Sequence, residues 1–237
     1  IMGLSLCSNR ADGTDGGSAI YLEGRGDHIE LLSNRIFEIR GTNGMAITIY
    51  GADPTTPVSS LAIVGNEIFN CEPATSEALT LNGNVTEFTV ASNYIHDINN
   101  IGIDFIGGEA PFPKAARNGV CSDNRVLRAN SGYGGGFAAG IYVDGGCDIV
   151  IERNLVSGCD VGLEVGAENA GQTATNITVR NNLIYRNNKV GLAFGGYDET
   201  RGRTAFCRFL NNTLYKNGNT DAWQAEIIVQ WAGANDV

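Results

Sequence analysis

Three carboxylates and a tyrosine recur at equivalent positions of a repeated sequence pattern. Asp104, Tyr142 and Glu164 each lie between the two apolar residues of an alternating pair. Asp144 directly follows Val143, the second apolar residue of the pair around Tyr142. Such positions are the outward side chains of β-strands. The strand geometry predicts roughly 8 Å between Asp104 and Asp144. That separation fits an acid and a base with a water between them, as in inverting glycosidases. Clustered carboxylates also raise one another's pKa, which a general acid needs.

The same acidic group has two other interpretations. Carboxylate oxygens of Asp104, Asp144 and Glu164 could together hold Ca²⁺, which prefers oxygen ligands. The group could also be the solvated face of an acidic protein, with no cofactor and no chemistry. Catalysis, calcium binding and a solvated surface therefore all stay open at this point.

A repeat of 25 to 32 residues positions these side chains. In each repeat two alternating apolar residues precede an Asn, and a second alternating pair, such as Ile103/Phe105 or Ile141/Val143, comes later and flanks the outward position. The repeated residues are Asn9, Asn34, Asn66, Asn93, Asn124, Asn154, Asn182 and Asn212. Apolar residues spaced by two indicate two strands per repeat, each with one face inward.

This pattern predicts an all-β, single-stranded parallel β-helix solenoid of about eight coils. Like residues would stack about 4.8 Å apart, and the Asn side chains would hydrogen-bond between coils at a turn. From Leu4 to about Gln230 the chain resembles the right-handed, pectate-lyase-like β-helix superfamily, whose repeats carry this Asn ladder and a second G-I-x-V strand. The resemblance implies right-handed coiling. We expect one domain over residues 1–237, without conventional end caps.

Two long loops after the second strand predict a groove wall beside the acidic group. They are GGEAPFPKAARN after the Asp104 strand and GGYDETRGRT in the last full coil, whereas other coils have short connections. Long loops beside short ones are typical of binding grooves. The candidate substrate-binding residues in these loops are Lys114, Arg117, Tyr197 and Arg201. In β-helix polysaccharide lyases a Lys or Arg commonly abstracts a proton α to a carboxylate, so the resemblance suggests such a role for Lys114 or Arg117.

Composition excludes some partners. The chain has 237 residues, 43% of them hydrophobic and 18% charged, which is typical of a globular protein. Its net charge of -10 argues against nucleic acid as a partner, and it would repel an acidic polysaccharide unless a cation or a basic patch intervenes. The sequence contains no run of 18 or more apolar residues, so it predicts no membrane span, and no signal peptide is recognisable.

Two classes of function follow from the sequence. The first is a polysaccharide hydrolase or lyase that uses the acidic group. The second is a non-catalytic glycan-binding or structural module of a larger secreted or surface protein, which could self-associate through an open β-helix end. Either class predicts an extracellular or periplasmic location. The chain lacks the Asp-Asp, Gly-His-Gly and Arg-Ile-Lys set of polygalacturonase-like hydrolases and the Tyr-Gly-x-Asp-Pro-His motif of alginate epimerases. The sequence therefore does not predict the activity of either of these two families.

Overall fold

A computed structural model describes residues 1–8, 17–41, 44–112, 114–132, 136–219, 224–231 and 233–237. These residues form strands joined by turns and loops, and they contain no helix. Accordingly, the described part of the chain has no helix long and apolar enough to cross a membrane.

Three parallel sheets make up the described structure, and each coil contributes a strand to each of them. The first sheet precedes the Asn turn and contains Gly26–Leu32, Val58–Val64, Phe88–Ala91, Arg117–Ser122, Cys147–Glu152, Ala174–Arg180, Thr204–Ala205, Arg208–Leu210 and Ala234–Asn235. The second sheet follows the turn and contains Ser5–Cys7, Arg35–Phe37, Glu67–Cys71, Tyr94–Ile98, Arg125–Ala129, Leu155–Ser157, Leu183–Tyr185 and Thr213–Tyr215. The third sheet contains Ile20–Glu23, Ile47–Gly51, Glu77–Gly83, Ile101–Ile106, Ala139–Asp144, Val161–Gly166, Val190–Gly195 and Ala225–Gln230.

The strand register confirms the predicted solenoid. In the third sheet Ile103 pairs with Ile141, and Ile141 pairs with Leu163, so the inward apolar residues stack from coil to coil. All three side chains are fully buried in one continuous core. The second and third sheets have eight strands each, and the stacked strands form a β-solenoid of about seven turns.

The sequence pattern predicted two strands per coil, and the strands of the second sheet add a third. Several of its strands, such as Arg35–Phe37, have only three residues. So short a strand places a single residue, here Ile36, in the core. One apolar residue after the Asn shows no alternation, and the pattern therefore could not reveal this strand.

The Asn ladder is confirmed from Asn34 to Asn212, while Asn9 lies outside the described residues. The Asn34 backbone N–H and side-chain amide both donate to Oδ1 of Asn66, at 2.9 and 3.0 Å, and Nδ2 of Asn66 donates to the Leu31 carbonyl at 2.9 Å. The residue before each Asn turns the chain in the left-handed region, as at Ser33 with φ of 52°. The buried amide thus satisfies backbone groups that the turn leaves unpaired.

A close contact in the core supports the strand that carries Asp104. Gly119 interrupts an apolar column, and a Cβ added there would come within 2.1 Å of the Phe88 ring. Phe88 occupies this space and stacks on Phe105, with ring centroids 5.1 Å apart. Phe105 follows Asp104 directly and points into the core, so this packing fixes the outward direction of Asp104.

Candidate active site

The structure brings the four predicted site residues together on the outer face of the third sheet. Asp104 pairs in register with Tyr142, and Tyr142 pairs with Glu164. Asp144 lies two residues beyond Tyr142 on the same strand and faces the same side. Thr80 precedes Asp104 in this column. The predicted column of outward side chains is therefore confirmed, and the parallel register is what aligns it.

These outward side chains are buried. The exposed fraction is 2% for Asp104, 3% for Tyr142 and 6% for Asp144, whereas Glu164 is partly exposed. Tyr142 packs on the outer face in a small apolar cluster with Ala139, Val161, Val190 and Ala193. The central acids therefore do not form a solvated surface. They form the floor of the site.

Two of the three buried side-chain polar atoms that lack a hydrogen-bond partner among the described residues lie on this floor. They are Oδ1 of Asp104 and Oδ1 of Asn82. Asn82 is 1% exposed and donates its side-chain N–H to Glu109. Buried oxygens without donors are rare in proteins because they lose their contacts with water. A ligand with hydroxyl groups, which both donate and accept hydrogen bonds, could satisfy both atoms.

Further carboxylates surround this floor, and the sequence pattern did not single them out. Thr80 donates its hydroxyl to Oε2 of Glu77 at 2.6 Å, and the Glu168 backbone N–H donates to Oδ1 of Asp144 at 2.5 Å. Glu77 opens its strand, Glu168 lies two residues past the end of another, and Glu109 belongs to a loop. None of them occupies a repeated position. The carboxylate cluster comprises Glu77, Asp104, Glu109, Asp144, Glu164 and Glu168.

Burial raises the pKa of several carboxyls in the cluster. It raises the pKa of Glu77 and of Glu164 to about 7, and that of Asp144 to about 8. The pKa of Asp104 lies well above its ordinary value, first through burial and then through the charges of Glu77 and Asp144. Burial and the nearby acids also raise the pKa of Tyr142, which keeps its hydroxyl neutral. Near neutral pH the cluster therefore retains protons and can act as an acid.

The loop after the last full coil reaches this cluster. The Arg201 guanidinium stacks over the Tyr197 ring at 4.4 Å and pairs with Asp198 at 2.6 Å. Burial raises the pKa of Glu168, and the positive charge of Arg201 partly opposes that rise. Tyr197 is 45% exposed. Two of the predicted substrate-binding residues thus lie at one side of the cluster.

The other two predicted binding residues differ in placement. Lys114 is exposed in the loop after the Asp104 strand, where its carbonyl accepts the Gly108 N–H at 3.1 Å. Arg117 does not belong to that loop, contrary to expectation. It begins a strand of the first sheet, because its backbone N–H bonds to Val85 at 3.0 Å, and its guanidinium donates to Asn84 and Ala115. Its role in substrate binding stays a prediction.

The described residues contain no group of three or more His, Cys, Asp or Glu side chains arranged to hold a metal ion. Calcium needs six to eight oxygen ligands that converge on one point. Within the described residues Asp104, Asp144 and Glu164 do not provide such a set, and the calcium site stays a prediction.

Comparison with known proteins places this fold in a family. Residues 6–201 match the family described as the right handed beta helix region. The chain belongs to the right-handed β-helix family. This confirms the resemblance and its handedness. The chain is also 36% identical over 245 residues to the uncharacterized protein YwoF of Bacillus subtilis (strain 168), covering 100% of this chain and 51% of that protein. It thus spans about half the length of this curated relative.

Solved structures of an alginate epimerase share the fold. A mutant of the periplasmic alginate epimerase AlgG superposes with a TM-score of 0.57 at 12% identity, over 87% of this chain and 46% of that one. Another structure of the same epimerase gives a TM-score of 0.53 at 10% identity, over 89% and 46%. At such low identity the likeness shows the β-helix and leaves the activity open.

Proposed function

We propose that this β-helix is a carbohydrate-active enzyme that hydrolyses a polysaccharide or oligosaccharide at the carboxylate cluster. The observation that carries the proposal is Asp104, a buried carboxyl with an unpartnered oxygen and a strongly raised pKa, close enough to Asp144 for the two charges to interact. Perturbed acids with unpaired atoms are typical of catalytic sites. The proposal also draws on the β-helical fold shared with an alginate epimerase, which by its name acts on a polysaccharide.

The environments of the two aspartates assign different roles to them. Asp104 is the more buried and has an oxygen without a donor, which favours its protonated form. Asp144 accepts the Glu168 backbone N–H, which partly opposes the burial that raises its pKa to about 8, so the base role belongs to the ionised fraction that grows as the pH approaches 8. Asp104 would donate its proton to the glycosidic oxygen as the bond to the anomeric carbon breaks. Asp144 would take a proton from the water that attacks that carbon.

The remaining site residues would bind and orient the sugar. Tyr142 lies between Asp104 and Glu164 in the register, and its neutral hydroxyl can donate a hydrogen bond. Glu164 is partly exposed and would accept sugar hydroxyls. Tyr197, with Arg201 stacked on its ring, offers an exposed aromatic surface at the edge of the cluster, and Lys114 is an exposed cation in the other loop. Because a polysaccharide substrate would lie outside the cytoplasm, we expect an extracellular or periplasmic location.

Hydrolysis suits the cluster better than elimination. A lyase must neutralise a substrate carboxylate, with a cation or with hydrogen-bond donors, before a base removes the adjacent proton. The buried titratable groups of this site are acidic, and in their ionised form they would repel that carboxylate. A non-catalytic glycan-binding module would use the same acceptor oxygens, but it would bind sugars without turning them over.

The test is release of reducing ends from a panel of neutral and uronate polysaccharides, with and without Ca²⁺. Asp104→Asn and Asp144→Asn should each abolish most of the turnover. Asp148→Asn is the matched control, because Asp148 is exposed on the first sheet, where it accepts the Asn176 side-chain N–H at 2.6 Å. Unchanged turnover in both site variants would remove the proposal. Binding without turnover by the unaltered protein would favour the non-catalytic module.

A further inference from the structure

The charge of the cluster is strongly unbalanced. Six acidic side chains converge there, and a positive charge comes from Arg201 at one side. Asp198 already pairs with that guanidinium at 2.6 Å, which reduces its effect on a ligand. Above about pH 7, where Glu77 and Glu164 lose their protons, a sugar that carries its own carboxylate would therefore meet repulsion from several sides.

The Asn82 side chain offers an unpaired acceptor on the floor. Among the described residues, Oδ1 of Asn82 and Oδ1 of Asp104 are both buried and lack a hydrogen-bond partner. The side-chain N–H of Asn82 is already donated to Glu109, so this amide presents its oxygen to a ligand. A sugar hydroxyl can donate to such an oxygen, whereas an ionised carboxylate has no proton to donate. Geometry and charge thus favour the same kind of ligand.

From these two observations we infer that the site selects uncharged, hydroxyl-rich glycans and rejects uronate polysaccharides. The inference rests on the proposed function, because it concerns the same site and names its substrate class. Asn82 would accept a hydroxyl proton of the sugar, Asp104 would donate its proton to a sugar oxygen, and Glu168 would be the main determinant that repels a uronate at the edge.

Matched polymer pairs test the selectivity directly. Polygalacturonate, alginate and β-1,4-glucuronan would each be compared with the carboxyl-reduced form of the same polymer, in which the linkages are kept and each carboxylate becomes a hydroxymethyl group. Binding and reducing-end release would be measured for both members at pH 8. We expect the reduced member to be preferred by about tenfold or more, as expected for one unfavourable charge contact.

A side-chain variant separates repulsion from shape. Glu168→Gln removes one carboxylate but leaves the backbone N–H that donates to Asp144. It should improve uronate binding several-fold relative to binding of the reduced polymer. Glu199→Gln, in the neighbouring exposed loop, is the matched control and should change neither. Asn82→Ala should weaken binding of the reduced polymer.

The outcomes distinguish failure of the inference from failure of the proposed function. Preferred cleavage of a uronate member would overturn the inference and leave hydrolysis at the cluster standing. Equal use of both members, or an unchanged preference in Glu168→Gln, would overturn it as well. If none of the six polymers is bound or cleaved, both the inference and the proposed function fail.

Discussion

The Asn ladder and the carboxylate cluster are both columns of buried polar side chains stacked along the solenoid, and they differ in how their hydrogen bonds are completed. Asn124 donates to the Val90 carbonyl and to Asn154, and its oxygen accepts two N–H groups of Asn93, all within 3.0 Å. At the cluster, Asp104 and the neighbouring Asn82 each have a buried oxygen with no hydrogen-bond partner among the described residues. The fully paired column stabilises the fold, and the incompletely paired column is available to a ligand.

The largest expected effect that separates the two columns is on activity. Asp104→Asn should reduce turnover by about 10²- to 10⁴-fold, because an amide cannot donate the acid proton. The midpoint of thermal unfolding should stay the same or rise, because the substitution removes a buried titratable group. Reducing-end release and calorimetry on one protein sample measure both. A variant that loses activity only because it unfolds would contradict this assignment.

The converse effect is expected in the ladder. Asn124→Ala should lower the free energy of unfolding by about 2–4 kcal/mol, because several buried backbone and side-chain groups lose their partners. The activity per folded molecule should change little. Denaturant titration together with specific activity checks this. A loss below about 0.5 kcal/mol would show that the ladder is not a stabilising element.

The next expected effect is on the pH dependence of stability, to which the carboxylate cluster contributes and the Asn ladder does not. The cluster carboxyls have a folded-state pKa above the unfolded value, so between about pH 4 and pH 8 the folded chain binds more protons than the unfolded chain. Stability should therefore fall as the pH rises from 5 to 9, by about 1.4 kcal/mol per pH unit for each net proton. Urea midpoints across this range measure the slope, and Glu77→Gln should flatten it. A stability that rises from pH 5 to 9 would contradict the raised pKa values.

The smallest effect is expected at the end of the ladder. Asn212 accepts from Asn182 and donates to the Val179 carbonyl at 2.9 Å, but it is only partly buried. Water can replace its hydrogen bonds, so Asn212→Ala should cost about 1 kcal/mol, less than Asn124→Ala. The two alanine variants compared in one urea series test this order. Equal losses would mean that burial does not control the strength of the ladder.

The repeat made most of the fold predictable. Apolar residues spaced by two and an Asn at a fixed distance identified the ladders, and the parallel register placed Asp104, Tyr142 and Glu164 side by side, as predicted. The short strands directly after the Asn were missed because one inward residue leaves no alternation. A second Asn contact, from Asn187 to Asn217 at 2.9 Å, was also missed, although both residues lie five positions after a ladder Asn.

The candidate site was only half predictable. Glu77, Glu109 and Glu168 join the cluster from a strand start, a loop and the residues past a strand end, where the repeat does not fix the register. The burial of outward residues depends on loops and on the apolar contacts of Tyr142, which no periodicity encodes. Arg117 was assigned to a loop because the letters alone do not show that pairing with the first sheet resumes there.

The most direct test of the central claim is a carboxyl-resolved NMR titration of the folded protein between pH 4 and pH 9. At neutral pH the cluster should still hold protons. Signals from Glu77, Glu164 and Asp144 should titrate near pH 7 to 8, and the Asp104 signal should titrate well above its ordinary range. If every carboxyl in the cluster titrates below pH 5, the site holds no acid at neutral pH and the proposed hydrolysis is contradicted.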